Sequence, residues 1–291
     1  MRVLAVLMAA LTMAAGPAIA APAPGLYVFG DSYSDSGNGY VDGNGPTAVV
    51  YMARELGLPL TIPSDDRGLA SGYNFAVSGA QTGEGEGQYH PPMMGDPGNR
   101  RGVGMLTQLQ AFEALRNKGS ARLTPETLVF IAGGLNDRKL PTETTVANLE
   151  TLVRRLYAAG GRNFMIALLP ERIPQFADVG QRLNPAVARI PDALMPSLPG
   201  AHIVLSHWGE YFDDVITHPA SYGIANIHDR CAGRATFGED PTPCATPDAY
   251  FFYHEGHPST AVHRIVGHRL AREVAAAFPG MVSAEPASAP Q

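Results

Sequence analysis

An α/β domain built on a central parallel sheet, with helices on both faces, is the fold class that this 291-residue sequence predicts. Apolar runs without polar alternation, such as Leu26-Tyr27-Val28-Phe29 and Leu128-Val129-Phe130-Ile131, suit strands buried on both faces. Between such runs lie segments of helical periodicity, and strands alternating with helices imply a parallel sheet. The first run stops abruptly at Gly30-Asp31-Ser32, and open α/β sheets place ligands at the carboxyl ends of their strands. Right-handed crossovers make a three-layer, flavodoxin-like layout the expected one.

In chain order, a strand over 26–29 is followed by a helical pattern over 46–56 and a second over 105–118. Thr127 to Ala132 reads as a buried strand. Val146, Leu149, Val153 and Leu156 mark one face of a helix that ends at Gly160-Gly161, followed by a strand from Phe164 to Leu169. His202 to Leu205 is a weaker strand. A last helix over 259–277 turns Val262, Ile265, Val266, Leu270 and Val274 inward. Many of the 32 glycines and 25 prolines fall within 60–104 and 170–250, which read as long surface loops, the usual place for a substrate site. No internal repeat and no linker divides the chain, so one domain is expected over 21–280, with a disordered tail over 281–291 rich in Ala, Pro, Ser and Glu.

The chain opens on a targeting signal. Arg2 precedes an apolar stretch to about Ala15, and Ala18-Ile19-Ala20 has the small-x-small pattern of a cleavage site, so residues 1–20 read as a signal peptide cut near Ala20. Gly16 and Pro17 interrupt the run too early for a membrane anchor. The expected address is secreted or periplasmic. Lys and Arg number 21 against 27 Asp and Glu, a net charge of −6; loss of Arg2 leaves 20 against 27, or −7. That balance argues against a nucleic-acid partner and against a basic membrane-binding patch. In an oxidising compartment Cys231 and Cys244 are most simply a disulfide, two free thiols being the alternative.

Four positions carry chemistry. Ser32 ends the first strand, and as a hydroxyl at a sheet edge it is a candidate nucleophile, although Gly-Asp-Ser alone is also an ordinary turn. Gly79 closes Asn74-Phe75-Ala76-Val77-Ser78 and lets a backbone N–H approach a ligand. Asn136, in Gly134-Leu135-Asn136-Asp137, follows the strand at 127–132 and so stands at the same edge. His257-Pro258 precedes the last helix. Singly these read as a turn, an N-cap and a surface histidine; their order is what points to a site.

With Phe29-Gly30-Asp31-Ser32-Tyr33-Ser34-Asp35-Ser36-Gly37-Asn38, Gly79, Gly134-x-Asn136-Asp137 and His257-Pro258-Ser259-Thr260-Ala261-Val262-His263, the chain resembles the SGNH or GDSL-type hydrolase superfamily. The resemblance spans nearly the whole expected domain and is strongest to the exported lipase and esterase branch, which includes thermolabile haemolysins and lysophospholipases. It implies Ser32 as nucleophile, His257 as general base, and an oxyanion hole from the Ser32 and Gly79 N–H groups with the Asn136 side chain. It also implies an aspartate three residues before the histidine, where this chain has His254. In a serine protease, neutralising that aspartate lowers turnover about 10⁴-fold. Four substitutes are open: Glu255, a neutral His254, a backbone carbonyl, or a bound anion or water, the last two ranking ahead of Glu255. On the sequence alone, restoring a carboxylate with His254→Asp is expected to raise turnover.

No cofactor and no metal are expected. His254-Glu255-x-His257 lacks the four-residue histidine spacing of zinc protease helices, and Pro258 follows it. Gly83-Glu84-Gly85-Glu86-Gly87 has no preceding strand and carries acids that repel phosphate, so it reads as a mobile loop near the substrate entrance. His263 reads as a packing or hydrogen-bonding residue, and Tyr250-Phe251-Phe252-Tyr253 as core or as an acyl-chain wall. The expected function is ester hydrolysis through a serine acyl-enzyme on a small acyl ester or single-chain lipid. Arylesterase, lysophospholipase, acetylesterase of choline or sugar esters, and acyltransferase are all compatible with these residues. The rival from another class is a ligand-binding protein of impaired catalysis, motivated by His254.

Overall fold

The computed structural model of the chain describes residues 24–65, 72–90 and 99–281. The expected signal peptide over 1–20 and the tail beyond Met281 lie outside the described residues. In chain order the elements are β1 (Leu26–Gly30), α1 (Ala48–Glu55), β2 (Tyr73–Asn74), β3 (Glu86–His90), β4 (Asn99–Val103), α2 (Met105–Asn117), β5 (Leu128–Ala132), α3 (Thr142–Ala158) and β6 (Asn163–Ala167). There follow α4 (Ala177–Val187), α5 (Ile190–Leu194), β7 (His202–Ser206), α6 (Trp208–Thr217), β8 (Asn226–Arg230), β9 (Tyr250–His254), β10 (His257–Pro258) and α7 (Thr260–Ala277).

Five parallel strands form the central sheet in the spatial order β2-β1-β5-β6-β7. Counted along the chain these are its second, first, third, fourth and fifth strands, which is the flavodoxin-like order. Every residue of β1 and β5 is buried, as their uninterrupted apolar composition requires of strands covered on both faces. Gly30 pairs with Ala132 in register, and a Cβ at Gly30 would lie 2.4 Å from the Ala132 carbonyl oxygen, so only glycine lets the two strands close there. The aromatic side chains Tyr27, Phe29, Phe75 and Phe112 interlock beside β1 with edge and stacked contacts.

Helices expected from periodicity are present, with ends moved by one or two residues. The tracts read as long loops hold more regular structure than composition suggests. A β3–β4 hairpin lies within 60–104, and α4, α5, α6 and β8 lie within 170–250. Proline was the misleading signal: Pro191 occupies the first turn of α5, where its missing N–H leaves no bond unmade. Residues 83–87 are likewise anchored rather than loose. Gly85 N–H donates to Thr107 Oγ1, Gly85 O and Gly83 O accept from Gly104 and Leu106, and Glu86 and Gly87 belong to β3. Met281, placed with the tail, closes a final turn and is buried in the core.

Behind the site, β9 pairs with β8 in parallel and with β10 antiparallel. Cys231 and Cys244 are disulfide-bonded, and the strand they extend is held to β9 by bonds from Cys231 and Ala232 N–H to Phe252 and Tyr253 carbonyls. Phe251 and Phe252 are core residues, not a chain-binding wall. No described helix is long and apolar enough to cross a membrane.

Candidate active site

Where β1 ends, the chain tightens. Ser34 and Asp35 N–H both donate to the Asp31 carbonyl at 3.0 Å, and Tyr33 N–H donates to Asp31 Oδ1 at 3.2 Å. Gln108 on α2 brackets the strand end, accepting from Gly30 N–H and donating to Gly30 O. Ser32 is thereby fixed on a turn at the carboxyl edge of the sheet, 6% exposed. Burial raises the neighbouring Asp31 carboxyl to about 7, with the nearby Asp137 and Asp35 charges adding to the shift.

His257 Nε2 lies 2.9 Å from Ser32 Oγ, and its Nδ1 lies 2.9 Å from the Glu255 backbone carbonyl. A carbonyl only accepts, so Nδ1 carries the proton and Nε2 is left to accept from the serine hydroxyl. The ring is held from several sides. Tyr33 donates its hydroxyl to the Gly256 carbonyl at 2.8 Å and rests against the imidazole, while Ser259 bonds back to Tyr250 and Phe251 carbonyls and caps α7. Burial pulls the His257 pKa below its ordinary value, partly offset by Asp42.

Asp42 was not foreseen. It lies in the loop between β1 and α1, 212 residues from His254, and no spacing rule connects it to either histidine. Its carboxylate accepts from His254 Nδ1 at 2.8 Å, stands 3.4 Å from His257 Nε2, and pairs with Arg101 at 3.2 Å and Arg234 at 3.8 Å. Burial opposes its ionisation, but His257, the hydrogen bond from His254, and Arg101 outweigh that and hold the carboxyl well below the usual range. His254, at the position where the resemblance implies an aspartate, is thus engaged with Asp42. The Glu255 side chain is exposed and directed toward Arg230 at 3.8 Å.

Gly79 and Asn136 reach the same cavity as Ser32 and His257, a space of about 300 Å³. Gly79 has φ +79°, and a Cβ there would press on the Gly102 backbone at 3.3 Å. Asn136 Nδ2 donates one hydrogen to Ala80 O at 2.9 Å, which leaves its second amide hydrogen for a ligand. Two buried carboxylates hold these segments. Asp35 accepts from Gly37, Gly39, Tyr40 and Ser78 N–H, tying the Asp42 loop to the residue before Gly79. Asp137 accepts from Thr82 N–H, Thr82 Oγ1 and Thr145 Oγ1. A larger adjoining space of about 640 Å³ shares Gly79, Arg101 and Asn136 and is bordered by Glu86 and Gln88 of β3. His263 lies apart from the cavity, buried, accepting from Ala48 N–H through Nδ1. Among the described residues no cluster of three or more His, Cys, Asp or Glu side chains is arranged to hold a metal ion.

A hydroxyl beside an imidazole of fixed tautomer, with unpaired donors across one small cavity, is suited to acyl transfer. The sequence profile of GDSL-like lipases and acylhydrolases matches residues 26–270, and the chain belongs to that family. It is a carboxylic ester hydrolase. The GDSL esterase/lipase 7 of Arabidopsis thaliana is 23% identical over 316 residues, covering 84% of this chain and 87% of its own. Another Arabidopsis thaliana GDSL esterase/lipase is 26% identical, with 84% and 80% covered. The crystal structure of a lipase/acylhydrolase from Enterococcus faecalis aligns with a TM-score of 0.46 at 14% identity, over 92% of this chain and all of that one.

Proposed function

We propose that the protein hydrolyses short acyl esters through a Ser32 acyl-enzyme after export from the cytoplasm. The observation that carries the reading is the 2.9 Å contact between Ser32 Oγ and His257 Nε2, with the tautomer fixed by the Glu255 carbonyl. His257 takes the serine proton as Oγ attacks the ester carbonyl. The developing oxyanion is met by the Ser32 and Gly79 N–H groups and the free amide hydrogen of Asn136, donors of a kind worth about 3 to 4 kcal/mol each. His257 then gives its proton to the leaving alcohol, and in the second half activates water against the acyl-enzyme.

Asp42 supplies the charge that position 254 does not. With Nε2 unprotonated, a carboxylate 3.4 Å away gains nothing from the ring; once Nε2 holds the serine proton, the same contact becomes an ion pair. An interaction that appears only as the proton moves stabilises the transition state over the ground state. The Glu255 carbonyl orients the ring and Asp42 stabilises its cation, so the two tasks of one aspartate are divided between two groups.

Short acyl groups suit the cavity better than a lipid tail. Among the described residues that border Ser32, Phe176 is the one large apolar side chain. Export is supported by the apolar stretch and cleavage pattern of residues 1–20 together with the Cys231–Cys244 disulfide. A fluorophosphonate probe is expected to label Ser32, and Ser32→Ala is expected to abolish both labelling and p-nitrophenyl acetate turnover without loss of thermal stability. Residual turnover above a few per cent would assign the chemistry to another residue.

A further inference from the structure

Three arginines, Arg101, Arg138 and Arg234, border the 300 Å³ cavity that holds Ser32 and His257. They come from separate segments: β4, the turn that carries Asn136, and the disulfide-closed loop after β8. The chain as a whole is acidic, at net −6, so this concentration of positive charge is local and runs against its surroundings. Three carboxylates accompany it. Asp42 lies beneath the cavity and is shared by Arg101 and Arg234; Glu239 accepts from the Arg234 backbone N–H and pairs with Arg230, and Glu255 stands exposed at the rim toward the same Arg230. One carboxylate cannot satisfy two guanidinium forks, and Arg101 Nη1 and Arg234 Nε are buried without a hydrogen-bond partner. The ring of Phe237 lies against both guanidinium groups, 5.2 Å and 4.6 Å from centroid to Cζ, and is itself half exposed.

Arg138 has the least structural work of the three. It is exposed, lies 5.1 Å over the Phe176 ring, and among the described residues meets no carboxylate. It follows Asn136 by two residues, so its charge stands beside the amide assigned above to the oxyanion. Guanidinium groups are the side chains best matched to planar carboxylate and to phosphate, through forked, charge-assisted hydrogen bonds. Gln175 Oε1, buried without a partner at the same cavity, adds an acceptor for a substrate hydroxyl.

We propose that the preferred substrate is a short-chain ester that carries an anionic group, carboxylate or phosphate, within a few bonds of the scissile carbonyl, held by Arg138 together with Arg101 and Arg234. This rests on the ester-hydrolase reading and names its substrate class. The cavity is small enough that a charge bound in it stays close to the reacting carbon, and the anion is placed by the arginines as the carbonyl meets Ser32. A neutral ester of the same shape forgoes those bonds.

The test compares matched pairs on the full-length protein: 4-acetoxybenzoate against its methyl ester, and 1-acetylglycerol 3-phosphate against 1-acetylglycerol. The expected result is a kcat/KM ratio of about tenfold or more in favour of the anionic member of at least one pair. The pair that shows it tells carboxylate from phosphate recognition. That ratio should shrink with added salt, fall about tenfold in Arg138→Ala, and invert in Arg138→Glu. Arg138 is exposed, so these variants are expected to fold, and Arg138→Lys should restore part of the preference. Cleavage of the neutral esters with no preference in either pair, or a ratio unmoved by Arg138→Ala and Arg138→Glu, overturns the proposal and leaves the esterase reading standing. Failure to cleave any of the four esters overturns both.

Discussion

At Asp42 a single buried carboxylate faces two histidines and two arginines, and its removal separates the contributions that usually come from one aspartate. Asp42→Asn keeps the shape and deletes the charge. It is expected to lower kcat by about 10- to 100-fold with little change in KM, because the lost interaction exists mainly when His257 is protonated. The pH profile gives an independent reading. Activity requires neutral His257, whose pKa burial already holds below 6.5, and Asp42, ahead of the Glu255 carbonyl, pulls it back up. The acid limb of kcat/KM should therefore move to lower pH in Asp42→Asn, and a limb that stays in place with kcat within twofold of wild type would remove Asp42 from the mechanism. His254→Asp reverses the expectation drawn from sequence. His257 Nδ1 already donates to the Glu255 carbonyl, and a carboxylate at 254 would stand against that of Asp42 in a buried space. Repulsion there is expected to lower both kcat and the unfolding midpoint, and a gain in kcat would show that the carbonyl is an inadequate partner. That Ser32, Asn136 and His257 would meet at one cavity was legible because a strand or helix with a readable pattern flanks each, whereas Gly79 stood out only by its lack of a side chain. Asp42 was not legible, since it lies in an aperiodic loop and the two histidines it meets stand more than two hundred positions away.

Among elements, the β8–β9–β10 sheet and its attached loop decide where His257 and Arg234 stand. The Cys231–Cys244 bond closes a separation of 13 residues, for which loss of unfolded-chain entropy is worth roughly 3 kcal/mol. Arg234 lies inside that loop, and the flanking Cys231 and Ala232 N–H groups hold it to β9, whose last residue, His254, stands three positions before His257. Reduction is therefore expected to lower activity at denaturant concentrations where the sheet is still intact, and to weaken the preference for anionic esters more than turnover of neutral ones. Coincident loss of activity and of far-ultraviolet signal would mean that the bond stabilises the whole domain rather than this segment. These short elements also mark where local reading failed. The strands β1 and β5 and the helices α3 and α7 announce themselves through long apolar runs and periodic faces. β2 is two residues long, and β8 is polar and exposed over its second half, so neither has a period to read. They exist because neighbouring strands offer unpaired backbone groups, a tertiary cause that a single segment does not record.

For the whole molecule, the packing of α7 on α1 beneath the site couples stability to pH through His263. Its ring is fully buried between Tyr33 and Phe212, its Nδ1 accepts the Ala48 N–H that opens α1, and burial lowers its pKa to about 3, with the nearby His257 adding to the shift. The unfolded chain protonates this residue near 6.5, the folded one near 3, so between those values the unfolded state binds the extra proton and stability falls as pH falls. Asp31 has the opposite sign: its pKa is raised from 3.8 to about 7, so the folded state binds the extra proton across that window and stability falls as pH rises through it. The two slopes oppose each other, so a plain pH titration of the wild type isolates neither. His263→Gln separates them. The glutamine oxygen is placed to accept from Ala48 N–H and does not titrate, while Asp31 is untouched. Relative to wild type, the variant is expected to gain about 2 kcal/mol between pH 7 and pH 5, the linkage expected of a histidine that must stay neutral. Urea unfolding of both proteins at the two pH values measures it, and the difference of differences removes any constant penalty from repacking around the smaller side chain. Parallel pH dependences in the two proteins would mean that His263 admits a proton without unfolding, and that α1 keeps its first turn without the imidazole acceptor.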